Sequence, residues 1–245
     1  MGAGFEEIDR RATPMGVISL RRRLEPSLLV DVYEVKLDDE YLMSSLFTGS
    51  EVALARLGLA AVPGTELDVV VGGLGLGYTA RTVLEDPRVR SLHVVETLAE
   101  VIGWHEDGLL PLGDTPLTED PRCHLVHGDF FALASGEGPF GSAAPECVDA
   151  VLLDIDHTPQ HILHPSHAAF YERAGLRRLA RHLHPEGVFG LWSDAADPAF
   201  EATVGDVFAA CVPHVVSFPT PYDDGDSTSV VYVATGPPGA QDSRR

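Results

Sequence analysis

The chain of 245 residues is strongly acidic, with 37 Asp and Glu against 17 Lys and Arg and a formal net charge of −20. This charge repels phosphate backbones and anionic lipid surfaces, so neither nucleic acid nor a membrane is an expected partner. With 44% hydrophobic residues the chain can bury one large core, and its three widely spaced cysteines indicate reduced core residues, not a disulfide framework or a zinc site. No apolar run approaches about 18 residues and no signal-peptide pattern begins the chain, which predicts a cytoplasmic protein.

Residues 1–62 are predicted to form a small N-terminal extension. Its first 27 residues or so are polar, and the three arginines at 21–23 are interpreted as a solvated face. Residues 30–37 and 41–47 are two runs rich in β-branched and aromatic residues, joined by three acidic residues. This pattern is typical of a β-hairpin.

A helix is predicted after the hairpin, because Thr48-Gly49-Ser50-Glu51 matches a capping box and the pattern continues to about Leu59. A hairpin with one helix is too small to be stable alone. Its apolar residues therefore need cover from the main domain or from a second subunit, and we expect a homodimer with the hairpin at the interface. The apolar residues concerned are Tyr33, Val35, Met43 and Phe47.

A glycine-rich turn between two apolar runs stands in the middle of the chain. Residues 67–71 are apolar and β-branched, as expected of a strand buried on both faces of a parallel sheet, and residues 72–77 interrupt them with four glycines. A helix is expected from about Tyr78, and a second apolar run, 92–95, ends in Glu96. Glycines let the backbone approach a ligand, and a carboxylate at the second strand tip is placed to bind ribose hydroxyls. The stretch therefore predicts a nucleotide site.

The spacing of the glycines bears on which nucleotide is bound. Gly73, Gly75 and Gly77 give the G-x-G-x-G form usual in S-adenosylmethionine (SAM) enzymes, whereas Gly75, Gly77 and Ala80 also satisfy the dinucleotide variant G-x-G-x-x-A. A tight strand-to-helix turn without a ligand is the plain structural alternative.

A second acidic residue helps to decide between these nucleotides. The apolar run 123–126 is followed by His127-Gly128-Asp129-Phe130, where SAM folds often place an acid on the adenine amino group beside an aromatic ring. Alternatively, Asp129 is the N-cap of a helix at 130–134. The sequence leaves both readings open.

The rest of the chain alternates strands and helices. Thr97-Leu98-Ala99-Glu100 matches a capping box that opens a helix through Trp104, and residues 107–121 read as a loop near the ligand. A buried strand at 148–153 ends in Asp154-Ile155-Asp156-His157. The remaining predicted elements are a long helix at about 166–183, a strand at 188–192, a helix capped by Asp197-Pro198, an antiparallel pair at 215–218 and 229–234, and a disordered tail after Gly236 (237–245).

This order of elements predicts an α/β fold, with a doubly wound, Rossmann-like parallel sheet over residues 63–236 and helices on both faces. Ligands of such sheets gather at the carboxyl ends of the strands. Glycine-rich or polar segments fall at five of these ends, namely 73–77, Glu96, Asp129, 154–157 and 192–194. Together they predict one pocket for an adenosyl cofactor.

The main domain resembles the spermidine synthases, aminopropyltransferases built on the class I SAM methyltransferase fold. The motifs that carry the resemblance are the glycine-rich turn, Arg81-Thr82-Val83-Leu84, Asp86-Pro87-Arg88-Val89, Val94-Val95-Glu96, Gly128-Asp129, residues 149–154 and Phe170-Tyr171. The resemblance implies Glu96 on the ribose, Asp129 on the adenine and Asp154 as the catalytic acid or base. It also implies that the hairpin takes the place of the family's small N-terminal domain.

The chain departs from this family at the polyamine end. Leu76 stands where the family has an aspartate near the donor's amine, and residues 54–57 replace a Tyr-His-Glu run. His157 falls on the second acid of the Asp-Ser-Ser-Asp-Pro motif, and Trp192 falls on a glutamine. A diamine needs carboxylates at both ends, because burying an unpaired ammonium is costly. We therefore expect no spermidine synthesis.

The first functional hypothesis is a SAM-dependent methyltransferase acting on a small apolar or aromatic acceptor. The acceptor's proton would pass to Asp154, Asp156 or His157, and the candidate walls of the acceptor site are Trp104, Tyr171 and Trp192. The predicted cofactor site comprises Gly73, Gly75, Gly77, Glu96, Thr97, Gly128, Asp129, Phe130 and Asp154. The alternatives are an aminopropyltransferase that uses decarboxylated SAM with an unusual amine acceptor, and a non-catalytic nucleoside-binding protein.

Overall fold

The structure is a computed structural model that describes residues 4–113, 115–219 and 226–238. Its N-terminal part is an antiparallel sheet of four strands, hydrogen-bonded in chain order. The strands are β1 (Phe5–Thr13), β2 (Gly16–Glu25), β3 (Val30–Leu37) and β4 (Glu40–Ser44). The predicted hairpin corresponds to β3 and β4 and is confirmed, whereas β1 and β2 were not predicted. In β1 most side chains are exposed or charged, so the alternation of apolar and polar residues that marks a strand is missing.

The three arginines at 21–23 lie on β2 and form ion pairs with neighbouring strands, which corrects the prediction of a solvated face. Arg22 Nη2 lies 2.6 Å from Glu6 Oε2 on β1, and Arg23 Nε lies 2.6 Å from Glu34 Oε1 on β3. Each exposed pair is worth about 0–1 kcal/mol. Their contribution is to match β2 with its two neighbours in register.

Helix α1 (Gly49–Ala61) begins where it was predicted, but the capping box does not form. Thr48 makes no side-chain capping hydrogen bond. Glu51 instead lines a cavity between the two sheets. The sequence thus matches the capping-box pattern, but in the folded protein the Glu51 carboxylate lies at the cavity and not at the helix cap.

The apolar hairpin residues are covered by the chain itself. Val35 is buried, Tyr33 and Met43 pack partly buried against the same core, and the ring centroid of Phe47 lies 6.2 Å from that of Phe218. This cover removes the reason given for a hairpin-mediated interface. At the end of the sheet that holds the β2–β3 turn, the large apolar side chains left exposed among the described residues are Phe5, Leu24, Leu28, Leu29 and Val30. The homodimer stays a prediction.

The main sheet has seven strands in the order β10-β11-β9-β8-β5-β6-β7. These are β5 (Leu67–Gly72), β6 (Val89–Glu96), β7 (Cys123–His127), β8 (Val148–Leu153), β9 (Leu183–Ser193), β10 (Ala210–Pro219) and β11 (Asp226–Thr235). Strands β5 to β9 are parallel to their neighbours in this group, and β11 is antiparallel to β9 and β10. Alternate residues of β5 serve two hydrophobic cores: Val69 and Val71 face one, and Val70 faces the other. The predicted doubly wound sheet is confirmed.

Five further helices connect these strands: α2 (Tyr78–Glu85), α3 (Ala99–Glu106), α4 (Phe130–Ser135), α5 (Arg173–Leu179) and α6 (Pro198–Gly205). Asp197 caps α6 as predicted, because its Oδ1 accepts hydrogen bonds from the backbone N–H groups of Ala199 and Phe200, each at 3.0 Å. The predicted C-terminal antiparallel pair is also confirmed, as β10 and β11. The predicted disordered tail falls mostly outside the described residues. Within the described part of the chain, no helix has the length and hydrophobicity that crossing a membrane requires.

The long helix predicted at 166–183 is wrong. That stretch contains a short 3₁₀ helix, Pro165–Phe170, then α5, then a 3₁₀ turn at Ala180–His182, and β9 already begins at Leu183. The backbone is extended at Glu172, with ψ of 159°. Tertiary contacts explain the break, since the adjacent Tyr171 directs its hydroxyl to buried Asp156 and Gly175 packs against backbone carbonyls of the preceding turn.

Candidate active site

A cavity of about 470 Å³ lies at the carboxyl ends of the central parallel strands, under the N-terminal sheet. The main sheet contributes glycine backbone and carboxylates to its lining. The N-terminal sheet contributes an apolar wall made of Met15, Ile18, Val35, Leu37, Leu42 and Met43. The cavity thus has one polar side suited to a nucleoside and one apolar side suited to hydrocarbon.

The glycine-rich turn forms part of the cavity floor. Gly73 and Gly75 line the cavity and have φ of 95° and 46°, a region that disfavours side chains. A Cβ on Gly73 would collide with the backbone oxygen of Asp154. Gly77, also predicted as a cofactor residue, precedes α2 with φ of 89° and packs under His105 and Leu117 instead of lining the cavity.

His105 supports the glycine-rich turn by a hydrogen bond, and this role was not predicted from the sequence. Its Nε2 lies 2.9 Å from the carbonyl oxygen of Gly75. Burial lowers the pKa of His105 to about 4, so the ring is neutral near pH 7 and donates one hydrogen bond to that carbonyl. No pattern in the sequence distinguishes this histidine from an ordinary residue of α3.

Glu96 connects the glycine turn to the next strand. Its Oε2 accepts a hydrogen bond from Leu74 N at 3.1 Å, and its Oε1 accepts one from Leu98 N at 2.8 Å. Burial raises the pKa of Glu96, and the backbone hydrogen bonds oppose that rise. Glu96 also lines the cavity, where a carboxylate at a strand end is placed to accept hydrogen bonds from ribose hydroxyls. Thr97 lines the cavity beside it but does not cap α3, whose N-cap is Leu98.

Asp129 is a helix N-cap, one of the two roles that the sequence left open, and it also lines the cavity. Its Oδ1 accepts from Phe131 N at 2.8 Å and from Ala132 N at 3.2 Å, so it caps α4. Its side chain also lines the cavity, and the second oxygen takes no part in the cap. Phe130 lines the cavity and fills the space above Gly72, whereas Gly128 lies outside the lining and donates its N–H to Glu96 O at 2.9 Å.

Asp154 is half-buried at the end of β8 and faces the cavity. Its Oδ2 accepts a hydrogen bond from Thr79 Oγ1 at 2.7 Å, and burial raises its pKa to about 6. Glu51 of α1 reaches the same cavity, where burial and then the charge of Asp154 raise the pKa of Glu51 to about 8. Near pH 7 the pair carries about one negative charge, because Glu51 holds a proton while Asp154 is mostly ionised. Glu51 was not predicted as a site residue, because in the sequence it matches the last position of a capping box.

The raised pKa of Glu51 makes stability depend on pH. A carboxyl whose pKa rises from 4.5 unfolded to about 8 folded stabilises the fold below pH 4.5, and this contribution is lost as the pH rises through 8. Gln cannot ionise, and Asp154 is common to both proteins. We therefore expect the unfolding free energy of Glu51→Gln, relative to that of wild type, to rise by about 2–4 kcal/mol from pH 5 to pH 9. Chemical denaturation at the two pH values measures this difference. An equal difference at both pH values would contradict this.

Asp156 and His157 occupy different environments. Asp156 is buried outside the cavity lining and accepts hydrogen bonds from Leu163 N, Tyr171 Oη and His167 Nδ1 at 2.7, 2.8 and 2.9 Å. It therefore organises the loop after β8, and the prediction that it receives the acceptor's proton is corrected. His157 lines the cavity, with its Nε2 3.2 Å from Glu40 Oε1.

The three residues predicted as walls of the acceptor site also lie in different environments. Trp104 lies outside the lining and donates its Nε1–H to Asp9 at 2.8 Å, and Tyr171 is engaged by Asp156. Both are core residues whose polar atoms are satisfied, so neither forms a wall of the cavity. Trp192 does line the cavity, and its buried Nε1 has no hydrogen-bond partner among the described residues.

The charges around the cavity are of one sign. Four carboxyl groups line it, those of Glu51, Glu96, Asp129 and Asp154. Three histidines, His157, His164 and His167, are the basic residues of its described lining, which includes no Lys or Arg. Ligand groups that carry positive charge are therefore favoured there, and a free carboxylate on a ligand has no cationic side chain to pair with.

Solved structures share this architecture. The spermidine synthase from Thermotoga maritima superposes with a TM-score of 0.70 and 18% identity, covering 94% of this chain and 72% of that one. A spermidine synthase in complex with the transition-state analogue AdoDATO gives 0.71 and 18%, with 94% and 73% covered. The chain has a spermidine synthase-like class I methyltransferase fold. Human methyltransferase-like protein 13 in complex with SAH gives 0.51 and 22%, with 78% and 81% covered.

The spermidine synthase-like fold confirms the resemblance that the sequence motifs indicated. No protein-family model matches the chain. Identities of 16–22% establish the fold, whereas an activity has to be argued from the residues of this cavity.

Proposed function

We propose that this protein transfers an alkyl group from an adenosyl sulfonium donor to a small amine with an apolar body. The observation that carries the proposal is the pair of half-buried carboxyl groups of Glu51 and Asp154. Their raised pKa values leave about one negative charge in a cavity that is otherwise apolar on the side of the N-terminal sheet. One such charge suits one ammonium group, and the apolar wall suits hydrocarbon.

The nucleoside end of the donor fits the polar side of the cavity. Gly73 and Gly75 leave room for a ligand close to the backbone. Glu96 lies at the cavity as an acceptor for ribose hydroxyls, and the Asp129 oxygen outside the helix cap can accept from the adenine amino group. Neighbours with this fold are complexed with AdoDATO or SAH. When bound, such a donor supplies an electrophilic carbon next to a positively charged sulfur.

Asp154 is the residue best placed to handle the acceptor's proton. Its carboxylate is half-buried, oriented by Thr79, and has a pKa of about 6, which lets it accept a proton near neutral pH. Protonated Glu51 can hydrogen-bond the amine beside it. The remaining catalysis is positioning, with the nitrogen held about 3–3.5 Å from the reacting carbon.

The acceptor is proposed to be a monoamine and not putrescine. Leu54 and Leu76, at positions where the related enzymes carry polar residues, are fully buried in the core and add nothing to the cavity lining. His157 is already paired with Glu40, and Trp192 adds an apolar wall. A second ammonium would therefore lack a carboxylate of its own.

The donor tail distinguishes aminopropyl transfer from methyl transfer. SAM carries a carboxylate on its tail, which the described lining, without Lys or Arg, does not neutralise. Decarboxylated SAM lacks that group, and its tail ammonium can take the single charge of Glu51 and Asp154 while the acceptor amine enters neutral. The charges therefore favour this donor and reverse the order of the two hypotheses drawn from the sequence. Methyl transfer from SAM is the second candidate, supported by the apolar wall that suits an apolar acceptor.

Titration calorimetry tests donor binding. We expect methylthioadenosine and decarboxylated SAM to bind, and SAM to bind more weakly. Glu96→Ala should weaken each ligand about tenfold or more, because a hydrogen bond to a charged group is worth about 1.5–3 kcal/mol. Asp129→Ala should act in the same direction. Wild-type affinity in both variants would refute the nucleoside site. Binding without turnover of any amine would support a non-catalytic protein.

A further inference from the structure

A buried acid–histidine pair lies in the loop that follows β8. Nδ1 of His167 is 2.9 and 3.1 Å from the two carboxylate oxygens of Asp156. Asp156 also accepts from the hydroxyl of Tyr171 and from Leu163 N, so its position is fixed from three sides. Because an ionised carboxylate only accepts, Nδ1 of His167 carries a proton, and in the Nδ1–H tautomer Nε2 is a hydrogen-bond acceptor.

The ring of His167 lies at the cavity and is held in place by packing. It stacks on Phe131 with ring centroids 3.9 Å apart and an interplanar angle of 22°. Only 6% of the surface of His167 is exposed, and the residue nevertheless lines the cavity. The hydrogen bonds of the ring to Asp156 use Nδ1 and leave Nε2 available. An immobilised, unused acceptor of this kind is suited to binding a ligand N–H.

Phe131 joins His167 to the predicted adenine site. The N–H of Phe131 is bound by Asp129 Oδ1, while its ring supports the imidazole. Asp129 and His167 thus both contact Phe131 and both line the cavity, where a carboxylate oxygen and a ring nitrogen are available as two acceptors. Two acceptors match a ligand group that presents two N–H bonds, which is an exocyclic amino group.

We propose that His167, oriented by Asp156, is a specificity-determining residue that selects a 6-amino purine, adenine, in the donor. The inference rests on the adenosyl donor of the proposed function. A 6-oxo purine would direct an acceptor at the acceptors of Asp129 and His167. Because His167 is buried, its ring nitrogen would be left unpaired, and a site built for an amino group rejects such a base strongly.

The test compares methylthioadenosine with methylthioinosine by titration calorimetry on the full chain. Wild type should prefer the adenosine ligand at least about tenfold. His167→Phe keeps an aromatic ring on Phe131 but removes the acceptor, and the preference should fall below about threefold. Asp156→Asn keeps the imidazole but allows the amide to donate to Nδ1, so the preference should also fall. His161→Phe, in the same loop but outside the cavity lining, is the matched control and should keep the wild-type preference.

The ratio of the two affinities separates the possible outcomes. A purely structural role for His167 would weaken both ligands equally and leave the ratio unchanged, which would overturn the inference while the proposed function stands. If wild type binds neither nucleoside, the proposed function fails, and the specificity of His167 falls with it. Thermal melting of each variant shows whether it is folded; if His167→Phe unfolds, the ratio in Asp156→Asn decides.

Discussion

Asp154→Asn is expected to lower turnover by about 10²–10⁴-fold with little change in donor affinity, because a positioned acid or base contributes about that much. The carboxylate is half-buried at the cavity, is held by Thr79 at 2.7 Å and has its pKa raised to about 6. Asn keeps the shape and the hydrogen bond from Thr79, but it cannot accept a proton at neutral pH. The measurements are steady-state turnover, with methylthioadenosine release as the readout for the aminopropyl reaction, and calorimetry for the donor.

Thr79→Val is the matched variant for this prediction. It removes the hydrogen bond that orients Asp154 while leaving the carboxylate, so its turnover should fall by about tenfold or less. Wild-type turnover in Asp154→Asn would exclude Asp154 as the proton acceptor. Because Asp156 is already bound by three donors outside the cavity lining, the remaining candidates would be Glu51 and His157.

The parts of the fold that sequence patterns predicted well are those in which local and tertiary structure agree. β5 is apolar at almost every position because both of its faces are buried, and the glycines after it are required by positive φ. Glu96 is the last residue of β6 and Asp129 comes two residues after β7, and strand ends of a parallel sheet meet at one edge. These signals lie within short stretches, which explains why the polar half of the cavity was predictable.

The missed parts depend on residues distant in sequence. Glu51 matches a capping box, and only its approach to Asp154, more than a hundred residues later, makes it a site residue. Trp104 looks like a substrate wall until Asp9 is found to accept its N–H. His167 falls in what looked like a regular helix, although the contacts of Tyr171 with Asp156 end that helix. Pairwise contacts of this kind leave no periodic signal.

Gly73→Ala is expected to lower the free energy of unfolding by about 2–5 kcal/mol, the sum of left-handed backbone strain and overpacking. Gly73 has φ of 95°, and a Cβ there would collide with the backbone oxygen of Asp154. That neighbour is backbone at the end of β8, so it cannot rotate away. Relief requires β8 and the glycine turn to separate, which would also displace the Asp154 carboxylate and lower turnover.

Gly64→Ala isolates the first of these two contributions. Gly64 has a similar φ of 85°, but a Cβ at that position meets nothing within 4 Å, so its expected cost is the backbone strain alone, about 1–2 kcal/mol. Chemical denaturation of the two variants gives the collision by difference. Equal destabilisation would mean that the turn has room for a methyl group, and the close approach of Gly73 to Asp154 would then not fix the Asp154 carboxylate. A larger loss in Gly73→Ala, together with reduced turnover, would establish that the glycine is required to position Asp154.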